Sequence, residues 1–293
     1  MSIFRGSGVA IVTPFKDGQV DYDALGKLLD WQVAESTDAI IITGTTGEAS
    51  TLSDEEQVDV IRYAVDKIAG RIPVLAGVGS NETAHAVYLS NQAEKAGVDG
   101  LLHVTPYYNK TSRKGLINHY KVISGSVGVP IILYSVAGRT GLNIAPDICE
   151  ELAEDSRIIG IKEASGNISQ VAEIARVTRG KNFDIWSGND DQTLPLLALG
   201  GAGVISTVAN IVPKDVHDMV YDFFNGDVEK ATTKQLDLKP LIDAVFIEVN
   251  PIPIKAALYL LGRIAYEYRE PLVQLEDSNF EKLRNEMQRY GLL

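Results

Sequence analysis

Ile158-Ile159-Gly160-Ile161-Lys162-Glu163-Ala164-Ser165 is the stretch on which the reading of this chain turns. A short, β-branched apolar run that stops abruptly at a charge reads as a buried strand. A period of two puts Ile159 and Ile161 on one face and Gly160 and Lys162 on the other. An ammonium taken out of water without a partner is costly, so the neutral, nucleophilic amine becomes accessible. Gly160, one step back on the same face, is expected to leave room beside that amine. The chemistry this suggests is a Schiff base between Lys162 and a keto acid. The plainer alternative is a strand-end lysine that snorkels to water.

Outward from this stretch, similar runs recur along the chain at residues 9–13, 39–43, 73–78, 100–105, 130–135, 183–187 and 203–208. Amphipathic segments lie between them at 22–34, 53–68, 82–96, 114–126, 146–153, 168–177 and 193–199, with an eighth at 213–224. Ser53 followed by Glu56 is a capping-box start, and Ala96-Gly97 is a helix exit. This alternation predicts an α/β fold, a (β/α)8 TIM barrel over residues 1–225. An open doubly wound sheet is the alternative, because alternation alone does not demonstrate closure. Beyond Asn225-Gly226-Asp227 the strand signal ends. Residues 228–249, 254–261 and 279–290 read as helices, interrupted by Asn250-Pro251-Ile252-Pro253. Residues 226–293 are therefore expected to form a helical extension packed on the barrel.

The chain has 293 residues, 45% of them hydrophobic, with a mean hydropathy of +0.01, enough for one large core. A net charge of −12 argues against nucleic acid or an anionic membrane as a partner. The single cysteine, Cys149, excludes an intramolecular disulfide and fits a reducing compartment. The first residues lack the layout of a signal peptide, and no apolar run is long enough to span a bilayer, so the expected location is the cytoplasm.

Polar residues collect where the strands end: Gly44-Thr45-Thr46-Gly47-Glu48, Tyr107-Tyr108-Asn109, Tyr134 with Arg139, Lys162, Ser187-Gly188-Asn189-Asp190, and Ser206-Thr207. Barrel enzymes place their reactive groups at that end. Imine chemistry needs an amine, a proton shuttle and grips for carboxylates. Lys162 is the amine, and Tyr134, inward-facing on the adjacent strand, is suited to relaying protons. Thr45, Thr46 and the glycine-flanked backbone offer hydroxyl and N–H donors to a carboxylate. Arg139 has the fork geometry for a second one. For Tyr107 and Tyr108, ordinary aromatic packing is an equal alternative.

These motifs, with Asn250-Pro251-Ile252-Pro253, occur in the order that resembles the dihydrodipicolinate synthase family of class I aldolase barrels, which is grouped with N-acetylneuraminate lyase. The resemblance runs over nearly the whole chain. It implies that pyruvate condenses with Lys162 and that the enamine attacks aspartate semialdehyde, giving 4-hydroxy-tetrahydrodipicolinate. Carried over position by position, it makes Tyr134, Thr45 and Tyr108 the proton relay, with Tyr108 reaching into a neighbouring subunit. Thr46 would hold the carboxylate of pyruvate and Arg139 that of the semialdehyde. Gly188 and Ile205 would line the pyruvate pocket, Ile205 through its carbonyl. No metal or organic cofactor is implied, and a homotetramer built from tight dimers is. Two departures stand out. Ser135-Val136-Ala137-Gly138 precedes Arg139 where relatives often carry Asn-Val-Pro, which predicts a looser loop and weaker semialdehyde binding. The region that binds lysine in inhibited relatives keeps Asn81 and Tyr107, but has Asp54, Gln57 and His85 where histidines and a glutamate are usual, which predicts little or no lysine inhibition.

Other signals are weaker. Gly77-Val78-Gly79 lacks the third glycine of a dinucleotide fingerprint, and the four histidines have no metal-ligand spacing. Asp190-Asp191 is explained by the preference of helix N-termini for acids. Three rival functions use the same lysine or pocket: a sister aldolase for sugar acids, a non-catalytic keto-acid sensor, and a pyridoxal-phosphate barrel. Thr45 and Arg139 speak against the first. A hydride-trapped adduct on Lys162 would exclude the second, and the third would need a phosphate site.

Overall fold

The computed structural model describes residues 2–293 and closes the alternating strands into a barrel. The strands are β1 (Gly6–Ala10), β2 (Ala39–Ile42), β3 (Val74–Gly77), β4 (Gly100–Val104), β5 (Ile131–Ser135), β6 (Ile158–Glu163), β7 (Asp184–Ser187) and β8 (Gly203–Ser206). All neighbours are parallel, and β1 pairs with both β2 and β8, which excludes the open sheet. The helices that follow are α1 (Tyr22–Ala34), α2 (Asp54–Ile68), α3 (Thr83–Ala96), α4 (Arg113–Ser124), α5 (Pro146–Leu152), α6 (Ile168–Val177), α7 (Thr193–Ala198) and α8 (Pro213–Phe224). The Ser53–Glu56 capping box forms at the start of α2 with both reciprocal hydrogen bonds.

The sheet separates two apolar layers. Inside the barrel, Ile41, Leu75, Leu102, Ile132, Ile159 and Ile205 pack with Tyr134 and Trp186, and Phe4 stacks on Trp186 at 5.1 Å between ring centres. Residues of opposite parity, such as Ile40, Leu101, Leu133, Ile161 and Val204, face the helices. Parallel strands buried on both faces explain why each reads as an unbroken apolar run.

Strand and helix limits differ from the sequence reading in a few places. The first strand begins at Gly6, three residues before the expected start, because two small residues, Gly6 and Gly8, sit in its ladder with β8. The stretch after it forms a hairpin, Phe15–Lys16 with Gln19–Val20, too short to show a periodic signal. Residues 137–140 form a helical turn instead of an open loop.

The last three helices are α9 (Val228–Val245), α10 (Ile252–Leu260) and α11 (Asp277–Arg289). α9 ends four residues before the expected limit, and Phe246–Val249 leads into the Asn250-Pro251 turn. α9 lies along α8 and touches α7, while α11 packs on α9 and α10. Ile254, Ala256, Ala257 and Leu258 of α10 are fully buried in the layer that surrounds the barrel.

Candidate active site

Lys162 is the fifth residue of β6 and is 6% exposed. Its direction depends on an irregularity. Ile131 pairs with Ile158, but the next residue of β5, Ile132, pairs with Gly160, so β6 carries one extra residue. Ile158 faces the helices, Ile159 faces the barrel interior, and Ile161 faces the helices again. The expected sharing of a face by Ile159 and Ile161 is therefore wrong. Strict alternation counted from Ile158 would turn Lys162 outward; the bulge turns it in, as bulges beside active sites do. Below the bulge Tyr134 pairs with Lys162, and Lys162 Nζ stands 4.4 Å from the centre of the Tyr134 ring.

The room beside Lys162 does not come from Gly160. A Cβ there would lie 2.7 Å from the Trp186 ring and closer still to the Asp184 carbonyl, so Gly160 makes space for β7 and its tryptophan. Gly188 is the residue that admits the lysine: a Cβ on it would meet Lys162 Cε at 3.1 Å and Ala164 Cβ at 2.7 Å. Gly188 N–H donates to the Glu163 carbonyl at 2.7 Å, which holds the close approach. Glu163, adjacent in sequence, points the other way. Its carboxylate accepts from Gln170 Nε2 at 2.7 Å and from Ser165 N–H at 3.1 Å.

A cavity of about 580 Å³ opens beside Tyr134. Thr45, Tyr134 and Arg139 line it, together with Asp54, Gln57, Ser80, His85 and Tyr107. Thr46 lies buried beside it, with its hydroxyl accepting from Asn250 Nδ2 at 2.9 Å. Arg139 is anchored by the Asn250 carbonyl, which accepts from Nη2 at 3.1 Å. The turn that carries Arg139 is not loose. Arg139, Thr140 and Gly141 donate to the Val136 and Ala137 carbonyls at 2.8 to 3.1 Å, and the Ser135 hydroxyl bonds Asn143 and Ile144. Ser135 thus serves as a tether, a role the comparison with a proline-bearing loop did not anticipate.

The remaining candidate residues lie close by. Lys162 stands over the Tyr134 ring, Gly188 lies against its stem, and Ile205 packs in the barrel interior with Tyr134. Asn81 sits at the rim, its Nδ2 donating to the Tyr107 carbonyl at 3.2 Å. Tyr108 is 93% exposed and adopts a positive φ of 69°, a conformation that a tyrosine rarely takes. Ordinary packing therefore does not describe Tyr108 in the single chain. His85 bridges Ser80 and Asp54, at 3.1 and 2.9 Å.

Three further groups act as tethers, and of these the sequence pattern assigns only Asp190, to a helix start rather than to the contacts it makes. Lys255 of α10 and Glu48 form an ion pair at 2.5 Å, both side chains almost fully buried. Burial pushes the Lys255 ammonium below its ordinary pKa, opposed by the Glu48 carboxylate beside it. Arg269 forms a two-pronged bond with Glu56 and donates its N–H to the other oxygen of Glu48 at 3.4 Å. Thr43 and Glu48, at the two ends of the threonine loop, both have left-handed backbones, with φ of 52° and 53°. Such conformations cost about 1–3 kcal/mol each and persist only where their surroundings fix them. Lys255, Asn250 and the Thr43 hydroxyl, which donates to the Gly77 carbonyl, supply that fixing. Asp190 is the third group. Its Oδ2 accepts from Thr207 and Val208 N–H at 3.0 and 3.2 Å. Burial raises its carboxyl above the ordinary range, opposed by these hydrogen bonds, by Ser206 and by the charge of Lys162. Only the isolated polar Asn250 and Lys255 in an apolar segment signalled such tethers in the sequence.

A closed parallel barrel with a buried lysine at a strand's carboxyl end, set against a tyrosine, is the arrangement expected of a class I aldolase barrel. Comparison with known proteins narrows this. The model of the dihydrodipicolinate synthetase family matches residues 3–290, and the chain belongs to that family. It is 55% identical over 293 residues to 4-hydroxy-tetrahydrodipicolinate synthase of Caldicellulosiruptor bescii, covering 100% of this chain and 99% of the relative. The crystal structure of dihydrodipicolinate synthase from Thermotoga maritima superposes with a TM-score of 0.98 at 42% identity, covering 100% of both chains. The enzyme from Cyanidioschyzon merolae, solved with lysine bound, superposes with a TM-score of 0.97 at 39% identity and 100% coverage of both.

Proposed function

We propose that this chain is a lyase that condenses pyruvate with L-aspartate 4-semialdehyde to 4-hydroxy-tetrahydrodipicolinate, the step that commits carbon to diaminopimelate and lysine. The observation that carries the reading is the buried Lys162 amine, turned into the barrel by the β6 bulge and set against Tyr134. The amine adds to the keto carbon of pyruvate, and loss of water gives the imine. Removal of a methyl proton gives an enamine, whose carbon attacks the aldehyde of the second substrate. The amino group of the semialdehyde then displaces Lys162 from the former keto carbon and closes the ring, so one water is released overall.

Tyr134 and Thr45, which both line the cavity, move protons to and from the oxygen that leaves. Tyr108 completes this relay in the site of a neighbouring copy; its exposure and left-handed backbone support that role. Thr46 grips the pyruvate carboxylate and Arg139 that of the semialdehyde, while Gly188 and the Ile205 carbonyl border the pyruvate site. The assembly is a homotetramer of tight dimers in the cytoplasm, and within the described residues no helix is long and apolar enough to cross a membrane. Residues 226–293 act as a structural part of the site, through Asn250, Lys255 and Arg269. Lysine inhibits weakly or not at all, since the carboxylate that lines the cavity, Asp54, is already paired with His85.

A coupled assay with both substrates, run with and without lysine, tests this reading. Turnover that needs both substrates and persists in millimolar lysine is expected. No turnover, or half-inhibition at submillimolar lysine, would contradict the activity and the regulation respectively.

A further inference from the structure

Asn250 lies between α9 and α10 and is 6% exposed. It touches both groups assigned above to substrate carboxylates. Its Nδ2 donates to Thr46 Oγ1 at 2.9 Å in a fully buried bond, and its main-chain carbonyl accepts from Arg139 Nη2 at 3.1 Å. Its Oδ1 is buried and meets no donor among the described residues. A hydroxyl has one hydrogen and two acceptor positions. With an amide hydrogen already on Thr46 Oγ1, the hydroxyl hydrogen cannot point at Asn250, and no acceptor among the described residues takes it.

We infer that Asn250 is a positioning residue: its side-chain amide fixes the Thr46 hydroxyl as a donor to the pyruvate carboxylate, while its carbonyl holds Arg139 for the second substrate. This rests on the assignment of Thr46 to pyruvate. The donor matters more than the shape. An aspartate of the same outline would accept the Thr46 hydrogen, turn it away from the substrate, and set a like charge near the carboxylate.

The test compares Asn250→Asp, Asn250→Ala and Thr46→Val, singly and combined. Pyruvate and semialdehyde are titrated separately, and borohydride trapping on Lys162 is followed as a function of pyruvate. Asn250→Asp is expected to raise the pyruvate KM about tenfold or more, the effect of losing one hydrogen bond to a charged group. The semialdehyde KM should stay within about twofold, because the carbonyl that holds Arg139 is unchanged. Asn250→Ala gives the same selectivity with a smaller rise, and carries the test if the aspartate variant does not fold. On a Thr46→Val background Asn250→Ala adds no more than about twofold, since the hydroxyl to be oriented is gone, whereas Asn250→Asp keeps only the part of its effect that comes from charge. A wild-type pyruvate KM in Asn250→Asp, equal losses for both substrates, or full additivity of Asn250→Ala with Thr46→Val overturns the inference. A wild-type enzyme that traps no pyruvate on Lys162 instead removes the reading beneath it, and that arm is scored first.

Discussion

The lysine side of the site and its carboxylate side are built in different ways. Lys162, Tyr134 and Gly188 are set by the ladder of three neighbouring strands and by one extra residue in β6. Thr45, Thr46 and Arg139 sit on a loop and a turn that the barrel alone does not fix. They are tied down by bonds spanning 204 residues from Asn250 to Thr46, 207 from Lys255 to Glu48 and 111 from Arg139 to Asn250. The proposed nucleophile is positioned by the sheet, whereas the proposed grips for substrate are held by the C-terminal extension. On that reading covalent chemistry rests on the strand ladder, and recognition on a loop with left-handed backbones that must be held.

The sharpest way to separate the two sides is to cut a tether. Lys255→Met leaves Glu48 buried without its partner, and removing one member of a buried pair costs about 3–5 kcal/mol. Urea unfolding should show a loss of that size. At a temperature where the variant is still folded, affinity for pyruvate should fall further than the fraction of bound pyruvate that can be trapped on Lys162. The converse change acts on the lysine side. Gly188→Ala puts a methyl against Lys162 Cε and Ala164 Cβ, and the resulting displacement of the amine should slow imine formation by about tenfold to a hundredfold in single-turnover trapping. Thermal stability should change much less than in Lys255→Met.

Acid should distinguish the regions more gently. His103 and His119, buried between the barrel and its helices, are held neutral by burial, with pKa values lowered to about 3 and about 4. Groups that are harder to protonate when folded give stability that is whole above their unfolded pKa of about 6.5, and that declines as pH falls below it. Glu56 is depressed to about 2, first by its hydrogen bonds to Arg269, so that tether keeps its contribution until pH drops below about 4.5. Urea midpoints should therefore fall between pH 7 and 5, and His119→Gln should flatten that slope. Glu56→Gln should leave it unchanged and flatten only the part below pH 4.5.

This division also explains what the sequence revealed. Strands and helices repeat with clear periods, so the barrel and all eight strand positions were legible, as was the lysine at the end of the sixth. The inward direction of Lys162 came out right for a wrong reason. Simple alternation from Ile159 puts Ile159 with Ile161, whereas the bulge between Ile158 and Gly160, invisible to a period of two, separates them and is what turns Lys162 inward. The role given to Gly160 belongs to Gly188, because which glycine admits a side chain depends on the neighbouring strand. The partners of the tethers are illegible because nothing local links Asn250 or Lys255 to a loop two hundred positions away. Tyr108 was left open between packing and function, and its exposure removes packing within one chain.

The central claim is that a buried amine at the rim of the barrel captures a keto acid covalently. Intact-mass and peptide analysis after borohydride treatment with pyruvate tests it most directly. The account predicts one reduced adduct per chain, confined to Lys162 and absent from Lys162→Ala, which should also lack turnover. An adduct on another lysine, or undiminished turnover in Lys162→Ala, would contradict it.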